Sequence, residues 1–220
     1  GYLQVGCDAS GLELRCLAHY MARYDRGAYA QILLEGDIHT ANQEAAGLAT
    51  RTEAKRFIYA FLYGAGNQKL GSILKPHAPE AEQQRAGKRA REKFLKALPA
   101  LQNLINDVQS TARSRGWLKG LDGRRLYIRS THAALNTLLQ SAGAIIMKQA
   151  TVQLWEDLAA VGFTFGKEVA QLAHIHDELQ LAVRPGLEDF VGETAVEAIR
   201  KAGRFFKFRC PLDGEYKVGH

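Results

Sequence analysis

The 220-residue sequence is poor in the features that staple, stiffen or anchor a chain. Its three cysteines, Cys7, Cys16 and Cys210, are an odd number with no C-x-x-C pair, which indicates neither a disulfide framework nor a zinc cluster. A reducing, intracellular setting is expected, with a cytoplasmic location. Prolines number only five, no internal repeat or low-complexity linker interrupts the chain, and a hydrophobic content of 46% suits a globular core. No run of about 18 apolar residues occurs and no charged-then-apolar leader opens the chain, so neither a membrane-spanning helix nor a secretory signal is expected. The internal His-Asp-Glu-Leu at 176–179 spells a retention address, but such an address is read only at a C-terminus.

Positive charge is what the chain has in excess. A formal net charge of +6 and a pI near 9.3 favour a polyanionic partner, and charge alone does not separate nucleic acid from a membrane surface. The length suffices for one domain or one and a half.

The stretch from Thr50 to Gly66 carries the densest information. Thr50 with Glu53 forms a capping-box pattern that starts a helix, and Gly64 and Gly66 supply permissive positions that end it after about four turns. Arg51, Lys55, Tyr59 and Tyr63 recur every four residues and form one stripe, leaving Phe57, Ile58, Phe61 and Leu62 as the anchoring face. Two cations and two rings in a row suit a triphosphate and a base; they equally suit a solvated basic face.

Carboxylates stand at two junctions. Alternation over Tyr2–Cys7 reads as a strand that delivers Asp8, followed by Ser10 and Glu13 as a second capping-box pattern, so Asp8 is either a helix cap or a functional group at a strand end. Val169–Ile175 and Leu179–Val183 read as paired strands with His176-Asp177-Glu178 at their turn. Adjacent like charges there repel, so the turn is either an acidic surface tip or a ligand for a hard divalent cation.

Elsewhere Asp37-Ile-His39 is a helix entry, Pro79–Leu98 a helix rich in Arg and Lys, and Leu98–Arg115 a helix with core spacing. Leu121-Asp-Gly-Arg-Arg125 marks a hairpin turn, and Ala133–Val161 is the longest helical pattern, with Asn136 and Gln140 one turn apart beside its apolar face. A helix over Leu187–Gly203 and a basic, aromatic last strand over Arg204–Arg209 complete the reading.

These pieces together resemble a known family. Asp8 to Arg15, D-A-S-G-L-E-L-R, is similar to motif A of the family A DNA polymerases; Arg51 to Gly64, R-x-x-x-K-x-x-x-Y-x-x-x-Y-G, to motif B; and His176 to Glu178, H-D-E, to motif C. The flanking D-I-H-T, F-L-Y-G-A-G, G-L-D-G-R and A-A-L-N-T-L-L-Q-S-A-G segments extend the resemblance over nearly the whole chain. They look closer to the replicative polymerases of T7-like phages than to bacterial DNA polymerase I, whose motif A usually reads D-Y-S-Q-I-E-L-R. The host compartment is then a bacterial or phage-infected cytoplasm.

The resemblance implies an α+β fold with largely helical fingers and a small antiparallel palm sheet. Residues 1–19 and 131–220 would form the palm, including the hairpin 169–184, and residues 20–130 the fingers, including the helix 50–66. It implies template-directed DNA synthesis, a two-magnesium transfer of dNMP from dNTP to a primer 3′-OH with release of pyrophosphate. Asp8, Asp177 and the backbone carbonyl of Ala9 would hold the ions, with Glu178 in support. Arg51 and Lys55 would grip phosphates, Lys55 also serving as acid to the leaving group. Tyr59 would lie against sugar and base, Tyr63 at the template side, Glu13 against the ribose 2′ position and His39 at the phosphates. His176, Asn136, Gln140 and Arg125 would contact primer and template.

Primer-template DNA, dNTP and a processivity factor are the implied partners. In the family a thumb, the first part of the palm and an exonuclease-type domain precede motif A, so the chain reads as the fingers and later palm of a larger polymerase, weak or inactive alone. Two other readings fit the same residues: another two-metal phosphoryl-transfer enzyme such as a nuclease, or a catalytically inactive DNA-binding fragment.

Overall fold

The computed structural model describes residues 1–219. In order, the elements are β1 (Leu3–Ala9), α1 (Leu12–Asp25), α2 (Ala28–Glu35), α3 (Ile38–Ala46), α4 (Arg51–Leu62), α5 (Asn67–Leu74), α6 (Glu80–Ala97) and α7 (Pro99–Arg115). Then follow β2 (Trp117–Lys119), β3 (Arg125–Tyr127), a 3-10 turn at Thr131–Ala133, α8 (Ala134–Ala160), β4 (Val169–Ile175), β5 (Glu178–Val183), α9 (Glu188–Phe205) and β6 (Gly214–Gly219). The fold is α+β. Two compact units divide it, one of Gly1–His19, Leu121–Gly123 and the chain from Gln140 on, the other of Tyr20–Gly120 and Arg124–Leu139.

The first unit is built on a four-stranded antiparallel sheet ordered β4-β5-β1-β6. Its strands alternate with period two, so Val5, Cys7, Ala9, Leu179, Leu181 and Val183 are buried on one face while Gln4, Asp8, Glu178 and Gln180 lie on the other. Helix α9 packs on the buried side, where Val191, Ala195, Ala198, Ile199 and Ala202 are fully enclosed. Gly192 is required there because a Cβ would stand 2.3 Å from the ring of Tyr216 on β6. A bulge between Gln171 and Ala173 bends β4 at the sheet edge.

The second unit is helical apart from the β2–β3 hairpin. Its tightest contact is between α5 and α6, where a Cβ on Gly71 would fall 1.7 Å from the carbonyl oxygen of Gln83, and one on Gly87 would fall 1.9 Å from that of Asn67. Two glycines therefore let the helix backbones meet. Gln83 is buried in this seam and satisfied by Gln68 and the carbonyl of Lys75. An aromatic triangle of Phe57, Phe61 and Phe94, with centroids 5.4 to 6.1 Å apart, fastens α4 to α6.

One segment departs from the sequence reading. Arg204–Arg209, rich in β-favouring phenylalanine, is not the last strand: α9 runs on to Phe205, Lys207 turns the chain at φ 51, and Phe208 stacks on His19 at 4.1 Å. The helix wins because Ala202 and Gly203 are buried in its packed face, with Gly203 against Leu212. The strand lies later, at Gly214–Gly219, in what reads from sequence as a polar end. Helices α2 and α5 fall in stretches that carry no helical signal in the sequence reading.

Candidate active site

Strand register assembles the acidic groups of the first unit. Asp8 is paired with Glu178 on β5 and with Glu215 on β6, so three carboxylates stand in one row across three adjacent strands. Asp177 joins them from the β4–β5 turn, because the amide of Ala9 donates to its carbonyl oxygen at 3.0 Å and pins the turn to the end of β1. His176 occupies the first position of this two-residue turn at φ 53, a left-handed conformation that costs a non-glycine residue about 1 kcal/mol.

The charge density is felt at Asp8. Burial, then Asp177, Glu178, Glu215 and Glu13, hold the Asp8 carboxyl up at about 6. The field reaches through the sheet: the buried Cys7 thiol is pushed up to about 12 by burial first, then by Asp8 and Glu178. Along the same open face Gln4 donates to Gln180 at 2.7 Å, and Gln180 donates to Glu178, which orients that carboxylate. Gly6 leaves room for this link, since a Cβ there would stand 2.9 Å from the Gln180 amide. Gln4, Gly6, Asp8, Glu178, Gln180, Glu215 and Lys217 line a groove of about 400 Å³.

The second unit holds the cationic stripe. Thr50 caps α4, its hydroxyl accepting from the amide of Glu53 at 3.1 Å while Glu53 accepts from the amide of Thr50, so the capping box is present. Ala54, Phe57, Ile58, Phe61 and Leu62 are buried; Arg51, Lys55 and Tyr63 are exposed, and Tyr59 is half-buried. His39, on α3, faces them: its ring lies 6.4 Å from that of Tyr59, and burial, then Arg51 and Lys55, lower its pKa. The imidazole is therefore neutral at neutral pH, with Nδ1 buried and without a hydrogen-bond partner. Gly64 takes φ 80 past the helix end, whereas Gly66 has φ −69 and caps α5 instead.

The matching family model is that of DNA polymerase family A, and it matches residues 1–220. The chain belongs to DNA polymerase family A. It is 48% identical to the DNA-directed DNA polymerases of Enterobacteria phage T3 and Escherichia phage T7, over 99% of its own length and 32% of theirs. A thermostable DNA polymerase I of Thermus thermophilus is 28% identical over all of this chain and 27% of that protein. The POL domain of Pol1 from M. smegmatis, solved in complex with DNA primer-template and dNTP, superposes with a TM-score of 0.82 at 22% identity, covering 100% of this chain and 40% of that one. This family A chain thus spans about a third of the length of the phage polymerases it matches.

Within this family A chain, the expected site residues divide between the units. Asp8, Ala9, Glu13, Gln140, His176, Asp177 and Glu178 belong to the first; His39, Arg51, Lys55, Tyr59, Tyr63, Arg125 and Asn136 to the second. Arg125, on the hairpin, lies with its guanidinium 4.9 Å from the Trp117 ring centre. Asn136 is half-buried and Gln140 exposed on α8. Three residues escaped the sequence reading: Glu215, Gln180 and Asp37. Alternation in Glu215-Tyr-Lys-Val218 carries a strand signal that could have placed Glu215; Asp37 reads from sequence only as a helix entry.

The donors suit a hard divalent cation. The row of Asp8, Glu178 and Glu215 offers carboxylate oxygens, while the nearby Cys7 thiol is buried and protonated, and neighbouring carboxylates rather than cations dominate the field at Asp8. Among the described residues no group of three or more His, Cys, Asp or Glu side chains is placed to hold a metal by itself. Magnesium characteristically takes one or two protein carboxylates and completes its shell with waters and substrate phosphates, so a two-aspartate donor set fits it.

Proposed function

We propose that the chain carries the catalytic groups for template-directed DNA synthesis, transferring dNMP from dNTP to a primer 3′-OH with release of pyrophosphate. The observation that carries this reading is the juxtaposition of Asp8 and Asp177 by the Ala9 amide in a family A chain. Asp8 and Asp177, with the Ala9 carbonyl, would hold magnesium ions, which when bound would supply a lowered pKa at the attacking hydroxyl and charge neutralisation at the transferring phosphoryl group.

The remaining steps belong to the chain's own side chains. Glu178 is held by Gln180 and supplies negative potential beside the ligands. Arg51 and Lys55, at the positive N-terminal end of α4, grip the phosphates, where helix dipole and side-chain charge act together. Lys55 donates a proton to the departing pyrophosphate. Neutral His39 donates a hydrogen bond to a phosphate oxygen, Tyr59 lies against sugar and base, and Glu13 excludes a 2′-hydroxyl. Tyr63, Asn136, Gln140, Arg125 and His176 contact template and primer. The fingers and palm assignments, residues 20–130 against 1–19 and 131–220, belong to this same reading, as do the thumb, exonuclease-type domain and processivity factor of a larger polymerase.

Primer extension decides among the candidates. A labelled primer on a longer template, with stoichiometric chain, four dNTPs and magnesium, should yield a longer product, even if only by a few nucleotides. A shortened primer indicates a nuclease and overturns the proposal; a shifted but unchanged primer indicates DNA binding alone and overturns it for this chain by itself.

Tyr59 gives a second test. Its hydroxyl can replace the hydrogen bonding that a dideoxynucleotide lacks, and a buried group left unsatisfied costs about 1–3 kcal/mol, or roughly 5- to 150-fold in rate. Tyr59→Phe should therefore lower dideoxynucleotide incorporation relative to the normal nucleotide by a factor in that range. Equal discrimination by both proteins would remove the assignment.

A further inference from the structure

The bond between Asp37 and Arg51 joins two helix starts in the second unit. Asp37 is the N-cap of α3: Oδ1 accepts from the amides of His39 at 3.0 Å and Thr40 at 3.3 Å, while Oδ2 accepts from the Thr40 hydroxyl at 2.9 Å. The same Oδ2 accepts from Arg51 Nε at 2.7 Å. Arg51 is the first residue of α4, whose start is itself fixed by the Thr50–Glu53 capping box. Both ends of the ion pair thus stand at capped helix starts.

Stability does not account for this pair. The Arg51 and Asp37 side chains are 56% and 44% exposed, and a solvent-facing ion pair contributes little to folding. The choice of atom is more telling. Arg51 is held by Nε, so its two terminal amino groups lie outside that bond, and these are the groups that form a two-pronged grip on phosphate oxygens. An unrestrained arginine side chain loses rotamer freedom when a ligand fixes it; one already fixed loses less.

We infer that Asp37 is a positioning residue for nucleotide binding, holding Arg51 by Nε so that both terminal amino groups are presented to phosphate. The role rests on the reading of Arg51 as a phosphate grip. Repulsion between Asp37 and a phosphate is the opposing effect. It is blunted because four donors, two amides, a hydroxyl and the guanidinium, already occupy the carboxylate. Arg51 first, then Thr40, hold that carboxyl far below the ordinary range, so it stays charged under all working conditions.

The test is a double-mutant cycle on the 220-residue chain with dGTP and with inorganic triphosphate, read as dissociation constants by calorimetry. Asparagine keeps the helix cap but not the ion pair with Nε. Asp37→Asn should weaken binding of both probes by about five- to tenfold, and should have no further effect in an Arg51→Ala background. Asp37→Ser, also a good cap but too short to reach Arg51, should behave alike and guards against a folding defect peculiar to one variant. Unchanged or tighter binding by both variants overturns the inference, as does an equal loss with and without Arg51, which would assign Asp37 to the cap alone. If Arg51→Ala itself leaves binding unchanged, the phosphate-grip reading fails and the inference falls with it; if Arg51→Ala weakens binding and the Asp37 variants do not, the inference fails alone.

Discussion

Asp8→Asn and Asp177→Asn are each expected to cut magnesium-dependent primer extension by about a thousandfold or more, since removal of a metal-ligating charge forfeits several kcal/mol of transition-state stabilisation. Asp8→Asn should at the same time make the protein more stable. The sign follows from the Asp8 carboxyl, held near 6 against an ordinary 3.8. Between those values the folded chain binds more protons than the unfolded one, so stability rises as pH falls from about 6 to about 4. Above 6 the ionised carboxylate is a standing penalty.

The full displacement corresponds to about 3 kcal/mol; the side chain is only partly buried, and solvent screening reduces this to roughly 1 kcal/mol. The variant should therefore melt higher than the wild type at pH 7.5 without metal, and the two should converge near pH 4. Added magnesium should narrow the gap by stabilising the wild type alone. An Asp8→Asn protein that retains extension activity contradicts the metal-ligand assignment, and one that melts lower at pH 7.5 contradicts the electrostatic account.

The second large effect lies in the α5–α6 seam. Gly71→Ala and Gly87→Ala would each drive a methyl group into a backbone carbonyl of the facing helix, at 1.7 and 1.9 Å, and a backbone atom cannot swing aside as a side-chain tip can. The helices must separate, at a cost of about 3 kcal/mol or more. Urea unfolding should register that loss. Gly66→Ala is the matched control, because its φ of −69 suits any residue and a Cβ there meets nothing within 4 Å. It should change stability by less than about 1 kcal/mol. The seam variants should also weaken nucleotide binding, because α6 supplies Phe94 and Arg91, which hold α4 through the aromatic triangle and a guanidinium 5.1 Å from the Phe61 ring centre, while Arg91 also ties down the link after α4 by bonds to the Ala65 carbonyl and Asn67. A loss below about 1 kcal/mol in both would mean the seam relaxes more easily than its geometry indicates.

What could be read from the sequence was whatever is encoded locally. The capping box of Thr50 and Glu53, the period-two alternation of β1 and β5, the apolar face of α8 and the division of α4 into anchor and stripe all depend on residues within a few turns of one another. The carboxylate row depends on register between strands drawn from both ends of the chain, which no local pattern encodes. Glu215 was lost for that reason, and because phenylalanines at 205, 206 and 208 draw the strand assignment away from β6. The α5–α6 seam leaves an equally faint trace, since Gly71 and Gly87 read only as weak helix formers until the facing backbone is known. The motif resemblance supplied the roles proposed for Asp8 and Asp177, which spacing left open.

The order β4-β5-β1-β6 also sets when the acidic centre can exist. Strand β1 is synthesised well before β5 and β6, its two neighbours in the sheet, which follow the whole helical unit. Closing so long a loop carries an entropic cost that local helices do not meet, so the helical unit can form while β1 still awaits β5 and β6. During synthesis the carboxylates are therefore among the last groups to be assembled, and an interrupted chain leaves a sticky strand rather than a half-competent centre.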